Sequence, residues 1–529
     1  MKKILIILLF VFPAIIFSQN SNFTILCVAA HPDDEDGATL AYYSKIMGYN
    51  AYTVFYTRGE GGQNEIGSEL YDQLGKIREQ ECYNAAAIQG SSAYFLGELD
   101  FGFSKTAAET FKFWGGKDSV LARIVYMIRQ IRPDVVISNH DTVTTKPGRQ
   151  HGNHQAVGIS IFEAFDKAAD PNYHPEQLVN GITPWQIKKL FFRNIMGTTQ
   201  TDVYRINIFE NDPATNKTIR EISREALSQH KTQGMDKISD TSLYFYGNRT
   251  YYLVKSDKMY PVEGSDLFAD LTPGDKSGRL NDITSFSTKY TYRTLSREDS
   301  LGIIRAVNYN SGARIGLVKT YDNTVENILK AFKIRYDTVS ANDLKSNDLE
   351  KFSTVILDIR AYLYRPDLIE NNRNILNYAR NGGNVLCFYN KPGEWNDKEY
   401  APYPIYLTSE RVTEEDAYVK INDASSYLLY RPNEIKPEVW QNWIQERNIY
   451  LPSDDPEKTS SKYLRILGMN DEEDPVPPTS LLWTGYGKGT YTYCSLALYR
   501  QLKIFNEGAL KLFMNLIAEQ LNIDGSIRK

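Results

Sequence analysis

The stretch that decides the fold is Thr24-Ile-Leu-Cys-Val-Ala-Ala-His-Pro-Asp-Asp-Glu35, an apolar run that ends in a histidine, a proline and three acidic residues. A short apolar run bounded by a turn predicts a buried strand over 24–30. A helical period follows over 37–47, and strands and helices continue to alternate along the chain. Further strands are predicted over 52–56, 94–96, 134–138 and 187–192, and further helices over 70–88, 119–131 and 154–168. This alternation predicts an α/β fold with a Rossmann-like, mostly parallel sheet.

A second alternating series begins at Arg314. It predicts strands over 314–320, 354–358, 384–388 and 489–494, and helices over 325–332, 366–381 and 507–521. An acidic, proline-rich stretch over 471–478, within 453–480, predicts a surface loop. The chain is therefore divided into a signal peptide, a first α/β domain, a connector rich in Gly, Pro, Asp and Ser, and a second α/β domain. Their predicted bounds are 1–18, 19–260, 261–310 and 311–529.

The composition is that of a globular protein rather than a disordered or fibrous one. Of the 529 residues, 42% are hydrophobic and 24% are charged, which excludes a collagen-like or disordered chain. The formal net charge is −5 and no basic arm is present, so nucleic acid is not expected as a partner. The 37 tyrosines suit carbohydrate binding, because each offers a flat face and a hydroxyl. Four cysteines without a close pair favour free thiols over a disulfide framework.

The N-terminus has the pattern of a cleaved secretory signal. Two lysines precede an apolar run over 4–17, and small and polar residues follow it. A membrane anchor is the alternative, but the run is shorter than the ~20 apolar residues of a spanning helix. The sequence therefore predicts a secreted or periplasmic protein without a membrane span, and it leaves the oligomeric state open.

Metal-ligand residues follow two of the predicted strands. His31 and the adjacent carboxylates come after the first strand, and His151 and His154 open the helix after the fourth. A catalytic zinc site needs three protein ligands and an open position, and His31, Asp34 and His154 would supply them. Asp33 is then free to act as a base. The alternative is that the acidic residues cap a helix and the histidines form ordinary hydrogen bonds. No G-x-G-x-x-G turn occupies the first loop, which disfavours a nicotinamide site.

Six motifs in order resemble the PIG-L/LmbE-like family of zinc-dependent N-acetylglucosaminyl deacetylases. They are Ala30-His-Pro-Asp-Asp-Glu35, Thr57-Arg-Gly-Glu-Gly-Gly62, Arg78-Glu-Gln-Glu81, Leu96-Gly-Glu-Leu-Asp100, His151-Gly-Asn-His154 and Ala226-Leu-Ser-Gln-His-Lys-Thr-Gln233. The resemblance implies an LmbE-like fold over 19–260. It also implies that zinc is bound by His31, Asp34 and His154, that Asp33 is the general base, and that His151 stabilises or protonates the reacting group as an imidazolium.

Other positions are carried over on shorter matches. Arg58 and Asp100 match family residues that contact the sugar, although a loop salt bridge for Arg58 and a turn or cap for Asp100 are the alternatives. Many relatives have Asp where this chain has Asn153, which leaves open the group that orients His151, and Asp141 is a candidate for that role. His140 is interpreted as a strand-end residue or a substrate contact.

His230 lies in the last of the six motifs. We interpret it as a helix-packing residue that supports the site from behind the ligands.

The second domain resembles the class I glutamine amidotransferase-like fold, which is related in pattern to the flavodoxin fold. Its Cys387 and Cys494 fall inside predicted strands, and the last histidine of the chain is His230. The nucleophile and base of an amidotransferase are therefore missing. We expect this domain to have a structural or glycan-binding role.

The resulting hypothesis is an exported zinc-dependent deacetylase that hydrolyses the N-acetyl group of an N-acetylglucosamine-type amino sugar or glycan. Two alternatives stay open: a non-catalytic glycan-binding protein, and a metal hydrolase acting on a different amide or an ester. The sequence does not choose between zinc and iron at the same ligands.

Overall fold

The computed structural model describes residues 22–144, 150–194, 202–239, 248–280, 282–288, 295–346, 348–472, 474 and 479–518. The predicted signal peptide lies outside these residues. Within the described ranges, no helix combines the length and the apolar character needed to cross a membrane.

The first unit is built on a seven-stranded sheet in the order β3-β2-β1-β4-β5-β7-β6. The first five strands in this order are parallel, while β7 runs antiparallel to both β5 and β6. The prediction of an α/β, mostly parallel sheet is thus confirmed. The elements are β1 (Thr24–Ala29), α1 (Gly37–Ala41), β2 (Asn50–Phe55), α2 (Asp72–Gln89), β3 (Ser92–Phe95), α3 (Ala107–Phe113), α4 (Lys117–Ile131), β4 (Val135–Ser138), α5 (Gly152–Lys167), β5 (Lys189–Arg193), β6 (Tyr204–Ile206), α6 (Ile219–Leu227) and β7 (Arg249–Ser256).

Local sequence explains where the elements nearest the site begin and end. All six residues of β1 are buried, as expected of a central strand covered on both faces. Asp36 caps α1, because its side chain accepts a hydrogen bond from the Thr39 N–H at 3.2 Å. Helix α2 ends at Gly90, whose φ of 75° is left-handed and easily adopted by glycine. The chain therefore leaves β1 and enters α1 through a short, firmly capped turn.

The second unit contains an eight-stranded sheet in the order β13-β15-β16-β17-β11-β10-β8-β9. Its five parallel strands follow the 2-1-3-4-5 order of flavodoxin-like sheets, and three antiparallel strands extend one edge. The elements are α7 (Arg297–Ala306), β8 (Arg314–Val318), α8 (Thr324–Ala331), β9 (Arg335–Thr338), α9 (Ala341–Ser346), β10 (Thr354–Leu357), α10 (Ala361–Tyr364), α11 (Pro366–Glu370), α12 (Asn372–Asn381), β11 (Asn384–Phe388), α13 (Pro392–Trp395), β12 (Arg411–Val412), β13 (Tyr418–Ile421), β14 (Asn448–Ile449), β15 (Leu464–Asn470), β16 (Leu481–Tyr486), β17 (Gly489–Cys494), α14 (Leu498–Lys503) and α15 (Glu507–Ile517). A second α/β unit is confirmed, while its kinship to amidotransferases stays a prediction.

Two expectations differ from the structure. Strand β15, which was not predicted, pairs with β13 and β16 inside the second sheet and directly precedes the loop predicted over 471–478, of which 473 and 475–478 lie outside the described residues. The predicted connector 261–310 also packs against the first unit, with Leu267 and Phe268 buried, and it includes helix α7. The four cysteines are free and buried, as predicted.

The two units share a buried contact at the start of α2. Leu70, Tyr71 and Leu74 belong to the same buried apolar cluster as the core of the second sheet. In the preceding loop, Glu65 accepts hydrogen bonds from the Arg360 guanidinium and from the hydroxyl of Tyr364, and Arg360 is the third residue after β10. The carboxyl-end loops of both sheets therefore face each other.

Candidate metal site and active cavity

The candidate site lies where the strand order of the first sheet reverses. Strand β1 pairs with β2 on one side and with β4 on the other, and ligands of open α/β sheets bind beyond the carboxyl ends at such a switch point. His31 follows β1, while His140 and His151 come after β4. The switch point thus brings together the two histidine-containing segments that the sequence separates by more than a hundred residues.

The turn after β1 is tight and slightly strained. Asp33 has a left-handed φ of 83°, a region that Asp tolerates better than most residues. The Asp34 N–H donates to the His31 carbonyl at 3.2 Å, and the side chain of Gln233 donates to the Pro32 carbonyl at 2.6 Å. Asp34 faces the histidines, whereas the charges of His230 and Arg78 act on Asp33. Two adjacent carboxylates therefore have different surroundings and can take different roles.

The predicted ligands converge on one carboxylate oxygen. Asp34 Oδ2 lies 3.0 Å from His31 Nδ1 and 3.2 Å from His154 Nε2. Two overlapping sets have ligand atoms within 4.8 Å of one another, namely His31 with His151 and His154, and Asp34 with His140 and His154. The site thus contains the three predicted ligands and two further histidines beside them.

The donor set fits a zinc or iron ion. Imidazole nitrogen and carboxylate oxygen are the ligands of catalytic zinc sites, and two atoms bound to one tetrahedral zinc are about 3.4 Å apart. The observed separations of 3.0 and 3.2 Å are close to that value. Nε2 of His140 accepts the Ala30 N–H at 3.1 Å, so its lone pair is already engaged. The ring nitrogens of His31 also have partners, Nδ1 with Asp34 and Nε2 with Asn153, so these contacts do not rank the two histidines as ligands.

The sequence predicts that His140 is either a strand-end residue or a substrate contact. Its side chain in fact lies 3.7 Å from Asp34 Oδ2 and stacks on His154, with ring centroids 4.1 Å apart. Burial and the neighbouring His154 hold the pKa of His140 well below its ordinary value. A neutral imidazole in this place orients the ligands Asp34 and His154. The sequence signal that could have placed His140 near the ligands is its position directly after a predicted strand.

The carboxylates have pKa values displaced in opposite directions. Burial, reinforced by the adjacent Asp34, raises the pKa of Asp33 to about 8. Burial would also raise that of Asp34, but His154 and His140 hold it well below the usual range. For His31, burial acts to lower the pKa, yet the hydrogen bond to Asp34 raises it to about 9. A carboxyl group that titrates near neutrality is suited to exchanging protons with water.

His151 is the N-cap residue of α5, and its ring lies close to the rings of two predicted metal ligands. Its ring centroid lies 3.7 Å from that of His154 and 5.2 Å from that of His31. Burial, followed by the charges of these two histidines, holds the pKa of His151 well below its ordinary value. This direction favours a neutral imidazole for His151, whereas the sequence interpretation gives it a role as an imidazolium during the reaction. It can still stabilise negative charge through an N–H group.

Asn153 contacts a metal ligand. Its amide nitrogen lies 3.1 Å from His31 Nε2, while its Oδ1 accepts hydrogen bonds from the hydroxyls of Ser104 and Thr110 at 2.8 and 2.9 Å. These hydroxyls fix the orientation of the amide, which in turn holds the His31 ring.

Asp141, the candidate for orienting His151, accepts hydrogen bonds from the Gln150 side chain at 2.7 Å and from the Val143 N–H at 2.8 Å. These bonds hold the segment that precedes His151. Nδ1 of His151 is buried without a hydrogen-bond partner among the described residues.

His230 supports the metal-binding turn from behind. The residue is fully buried and its Nε2 lies 3.1 Å from Glu35 Oε1, which also accepts a hydrogen bond from the Gln89 side chain. Burial acts to lower the pKa of His230, but the Glu35 carboxylate raises it overall. Since Glu35 closes the turn that carries Asp33 and Asp34, this pair positions both aspartates.

Arg58 is placed differently from the expected sugar contact. Its guanidinium is held by Asp72 at 3.2 Å, with Glu79 and Glu60 also within 4 Å. Among the described residues that line the cavity, the arginine from the first unit is Arg78. It lies on α2 and donates to the carbonyl of Gln63. The local ion-pair alternative therefore describes Arg58, and sequence reasoning missed Arg78 although it opens one of the recognised motifs.

Asp100 does line the cavity and is almost fully buried. Its Oδ1 also accepts the Gly102 N–H at 2.9 Å, so the carboxylate both forms a turn and faces the site.

The site opens into a cavity of about 370 Å³ that both units enclose. The first unit contributes His31, Asp33, Asp34, Gly61, Gly62, Gln63, Glu65, Arg78, Asp100, Gly102, Phe103, His151, His154 and Gln233, and the second contributes Lys391, Arg411, Glu446, Ile449, Tyr450 and Arg500. Sequence reasoning predicted none of the second-unit residues, because no local pattern distinguishes them.

Known proteins resemble the first unit. The model of the family described as GlcNAc-PI de-N-acetylase (PIG-L) matches residues 26–165. A 1D-myo-inositol 2-acetamido-2-deoxy-alpha-D-glucopyranoside deacetylase of Saccharopolyspora erythraea is 31% identical over 208 residues, covering 36% of this chain and 72% of the relative. One of Geodermatophilus obscurus is 32% identical over 185 residues, covering 32% and 60%. The chain spans 54, 60 and 59% of the length of three such relatives.

Among solved structures, the N,N'-diacetylchitobiose deacetylase of Pyrococcus horikoshii matches with 21% identity and a TM-score of 0.30, over 41% of this chain and 71% of that protein. The family model and the relative from Saccharopolyspora erythraea confirm the predicted membership: the chain belongs to the GlcNAc-PI de-N-acetylase (PIG-L) family.

Proposed function

We propose that the protein is an exported, zinc-dependent deacetylase that hydrolyses the N-acetyl group of an N-acetylglucosamine-type amino sugar or glycan. The observation that carries the proposal is the convergence of His31 Nδ1 and His154 Nε2 on Asp34 Oδ2, with the Asp33 carboxyl in the same cavity. The relatives named above, which deacetylate an acetamido sugar by their descriptions, support the substrate class. Export rests on the N-terminal sequence pattern.

The reaction adds water to the acetyl carbonyl and breaks its bond to nitrogen, which yields acetate and a free amine. A zinc ion held by His31, Asp34 and His154 would polarise the acetamide carbonyl and lower the pKa of a water beside it. Asp33, whose carboxyl lines the same cavity, takes a proton from the attacking water and returns it to the leaving amine. Neutral His151 donates an N–H to the developing oxyanion. Asp100 and Arg78 line the same cavity, where the sugar would lie.

The test uses the mature chain from about residue 19, loaded with zinc, and the Asp33→Asn variant. Amine and acetate release are measured on N-acetylated mono- and oligosaccharides, and bound metal is measured by elemental analysis. We expect Asp33→Asn to keep its metal and to lose about 10²- to 10⁴-fold in kcat, the usual contribution of a general base. Asp236→Asn, at an exposed position, is the matched control and should behave like the parent.

Three outcomes would contradict parts of the proposal. Bound metal without release from any sugar would indicate another amide or an ester as substrate. Absence of metal binding would favour a non-catalytic glycan-binding protein. An Asp33→Asn variant with undiminished kcat would remove Asp33 from the role of base. Export is tested separately by the N-terminal mass of protein recovered from the periplasm or the medium.

A further inference from the structure

The second unit is a wall of the active cavity and is not an appended module. Six of its side chains line the cavity together with the predicted metal ligands, and four of these six are charged. We propose that Lys391 and Arg411 bind an anionic group of the substrate, a carboxylate or a sulfate or phosphate ester, while the acetamide lies at the metal site. This inference rests on the proposed function and extends it to the substrate class.

Arg411 is held rigidly beside the metal site. Its guanidinium stacks between the rings of Phe103 and Tyr450, at 4.7 and 4.8 Å from their centroids, and pairs with Glu446. The Phe103 ring in turn lies 5.3 Å from the ring of His151. Stacking on two aromatic faces fixes the plane of the guanidinium, whose terminal nitrogens donate to the Glu446 carboxylate and, at 2.9 Å, to the Tyr450 hydroxyl. The side chain keeps 20% of its surface exposed, so a ligand in the cavity can reach it.

Lys391 is the cation of this wall with the weakest pairing. Its Nζ forms no hydrogen bond within the described part of the chain, and its nearest carboxylate oxygen, on Glu65, lies 3.8 Å away. That carboxylate already accepts hydrogen bonds from Arg360 and Tyr364. One third of the Lys391 side chain is exposed. The ammonium group therefore has donors available to a ligand.

The charges of the wall leave a cationic surplus. Glu446 is shared between Arg411 and Arg500, while Glu394 is bound by Arg360. Three carboxylates thus pair with four cations: the carboxylates are Glu446, Glu394 and Glu65, and the cations are Arg411, Arg500, Arg360 and Lys391. Burial, together with the nearby Arg360, lowers the pKa of Lys391, and a bound anion would oppose this shift. A partly buried ammonium without a full counter-charge is a typical anion-binding group.

The cavity is large enough for a sugar with an additional charged substituent. Its volume of about 370 Å³ exceeds what an acetamido group at the metal end requires. The carboxylates Asp33, Asp34 and Asp100 come from the first unit, and the cations Lys391 and Arg411 come from the second. The cavity therefore offers a substrate the predicted metal site on the first unit and cationic side chains on the second.

The experiment compares neutral and anionic substrates on the zinc-loaded mature protein. The neutral probes are N-acetylglucosamine and N,N'-diacetylchitobiose; the anionic probes are N-acetylmuramic acid, N-acetylglucosamine 6-sulfate and N-acetylglucosamine 6-phosphate, which separate the three sources of charge. Lys391→Met removes the charge at similar length, and Lys391→Arg restores it. Lys420→Met, at an exposed lysine of β13, is the matched control.

We expect at least one anionic probe to have a lower KM than both neutral probes. For that probe Lys391→Met should raise KM about 10- to 100-fold with kcat little changed, as expected for loss of one charge-assisted hydrogen bond, and Lys391→Arg should recover most of it. The neutral probes and the Lys420→Met control should not change. Equal KM values for neutral and anionic probes in the parent, or an equal effect of Lys391→Met on both, would overturn the proposal.

A binding measurement keeps this inference separable from the deacetylase proposal. Calorimetric titration of zinc-loaded Asp33→Asn with the same sugars needs no turnover. Tighter binding of an anionic sugar that is lost in Asp33→Asn/Lys391→Met supports the anion site even if no probe is hydrolysed by the parent. Binding without preference for charge overturns it even if hydrolysis is observed.

Discussion

Gly61 lies where two loops of the cavity approach each other closely. Its substitution tests whether the distance between these loops matters for catalysis. A Cβ at this position would lie 2.3 Å from the Asp100 carbonyl oxygen and 2.6 Å from the Gly102 nitrogen. Ordinary van der Waals contact begins near 3.4 Å, so Gly61→Ala requires the loops to separate by 3.4 − 2.3 = 1.1 Å. Because Gly61 does not have a positive φ, the effect of the methyl group is purely steric.

This displacement acts on both walls of the cavity. It moves Asp100, and it disturbs the 2.6 Å hydrogen bond from Arg500 to the Gly61 carbonyl. A misplacement of about 1 Å costs about 10²-fold in rate, which is about 2.7 kcal/mol of transition-state stabilisation. Overpacking should also lower the free energy of unfolding by about 1–3 kcal/mol. The metal content should not change, because His31, Asp34 and His154 lie on other segments.

The assay is kcat/KM for amine release, with metal content and urea unfolding measured on the same preparations. Gly302→Ala is the matched control: no atom lies within 4 Å of its added Cβ, and its helix should gain a little stability from alanine. We expect the control to match the parent in kcat/KM. If Gly61→Ala retains kcat/KM within twofold of the parent, the close approach of these loops is not required for activity and our reasoning is wrong.

Two further predictions concern buried charges. Burial, followed by the neighbouring Asp322, raises the pKa of Asp358 in the folded protein to about 8, whereas its pKa in the unfolded chain is about 4. The folded protein therefore keeps the Asp358 proton while the unfolded chain loses it, and the free energy of unfolding falls as the pH rises from about 4 to about 8. Asp358→Asn should thus gain about 3–4 kcal/mol in unfolding free energy relative to the parent as the pH rises from 5 to 8, and an equal difference at both pH values would contradict this. His230→Phe removes a buried partner of Glu35 and should cost about 3 kcal/mol in urea unfolding; a loss below about 1 kcal/mol would show that Gln89 alone satisfies the carboxylate.

The local elements near the site could be predicted because their signals are short in range. The apolar run of β1 followed by a proline and charged residues specifies a strand and then a turn wherever it occurs. The histidines of α5 stand directly after a predicted strand, and parallel strands end at a common edge. The meeting of His31, Asp34 and His154 therefore follows from topology alone. The antiparallel strand β15 was missed because acidic and proline residues beside it obscured its apolar alternation.

The side-chain directions could not be predicted in the same way. Arg58 and Arg78 both occupy motifs of the family, yet Arg58 is held by three carboxylates outside the cavity and Arg78 reaches into it. Which of the two arginines lines the cavity depends on the carboxylates that surround each guanidinium once α2 has packed against the rest of the protein. His140 is a comparable case, since only the stacking on His154 shows that it adjoins the ligands.

The sequence by itself determined the two α/β units, the turn that carries Asp33 and Asp34, and the family of the first unit, because these depend on hydrophobic period and contiguous motifs. Only the tertiary structure decided that the second unit closes the cavity. Phe103 and Arg411 are separated by about three hundred residues and still stack at 4.7 Å. Such a contact arises from the burial of the start of α2 in the second core, which no local pattern encodes, because contacts between distant segments depend on the packing of whole surfaces.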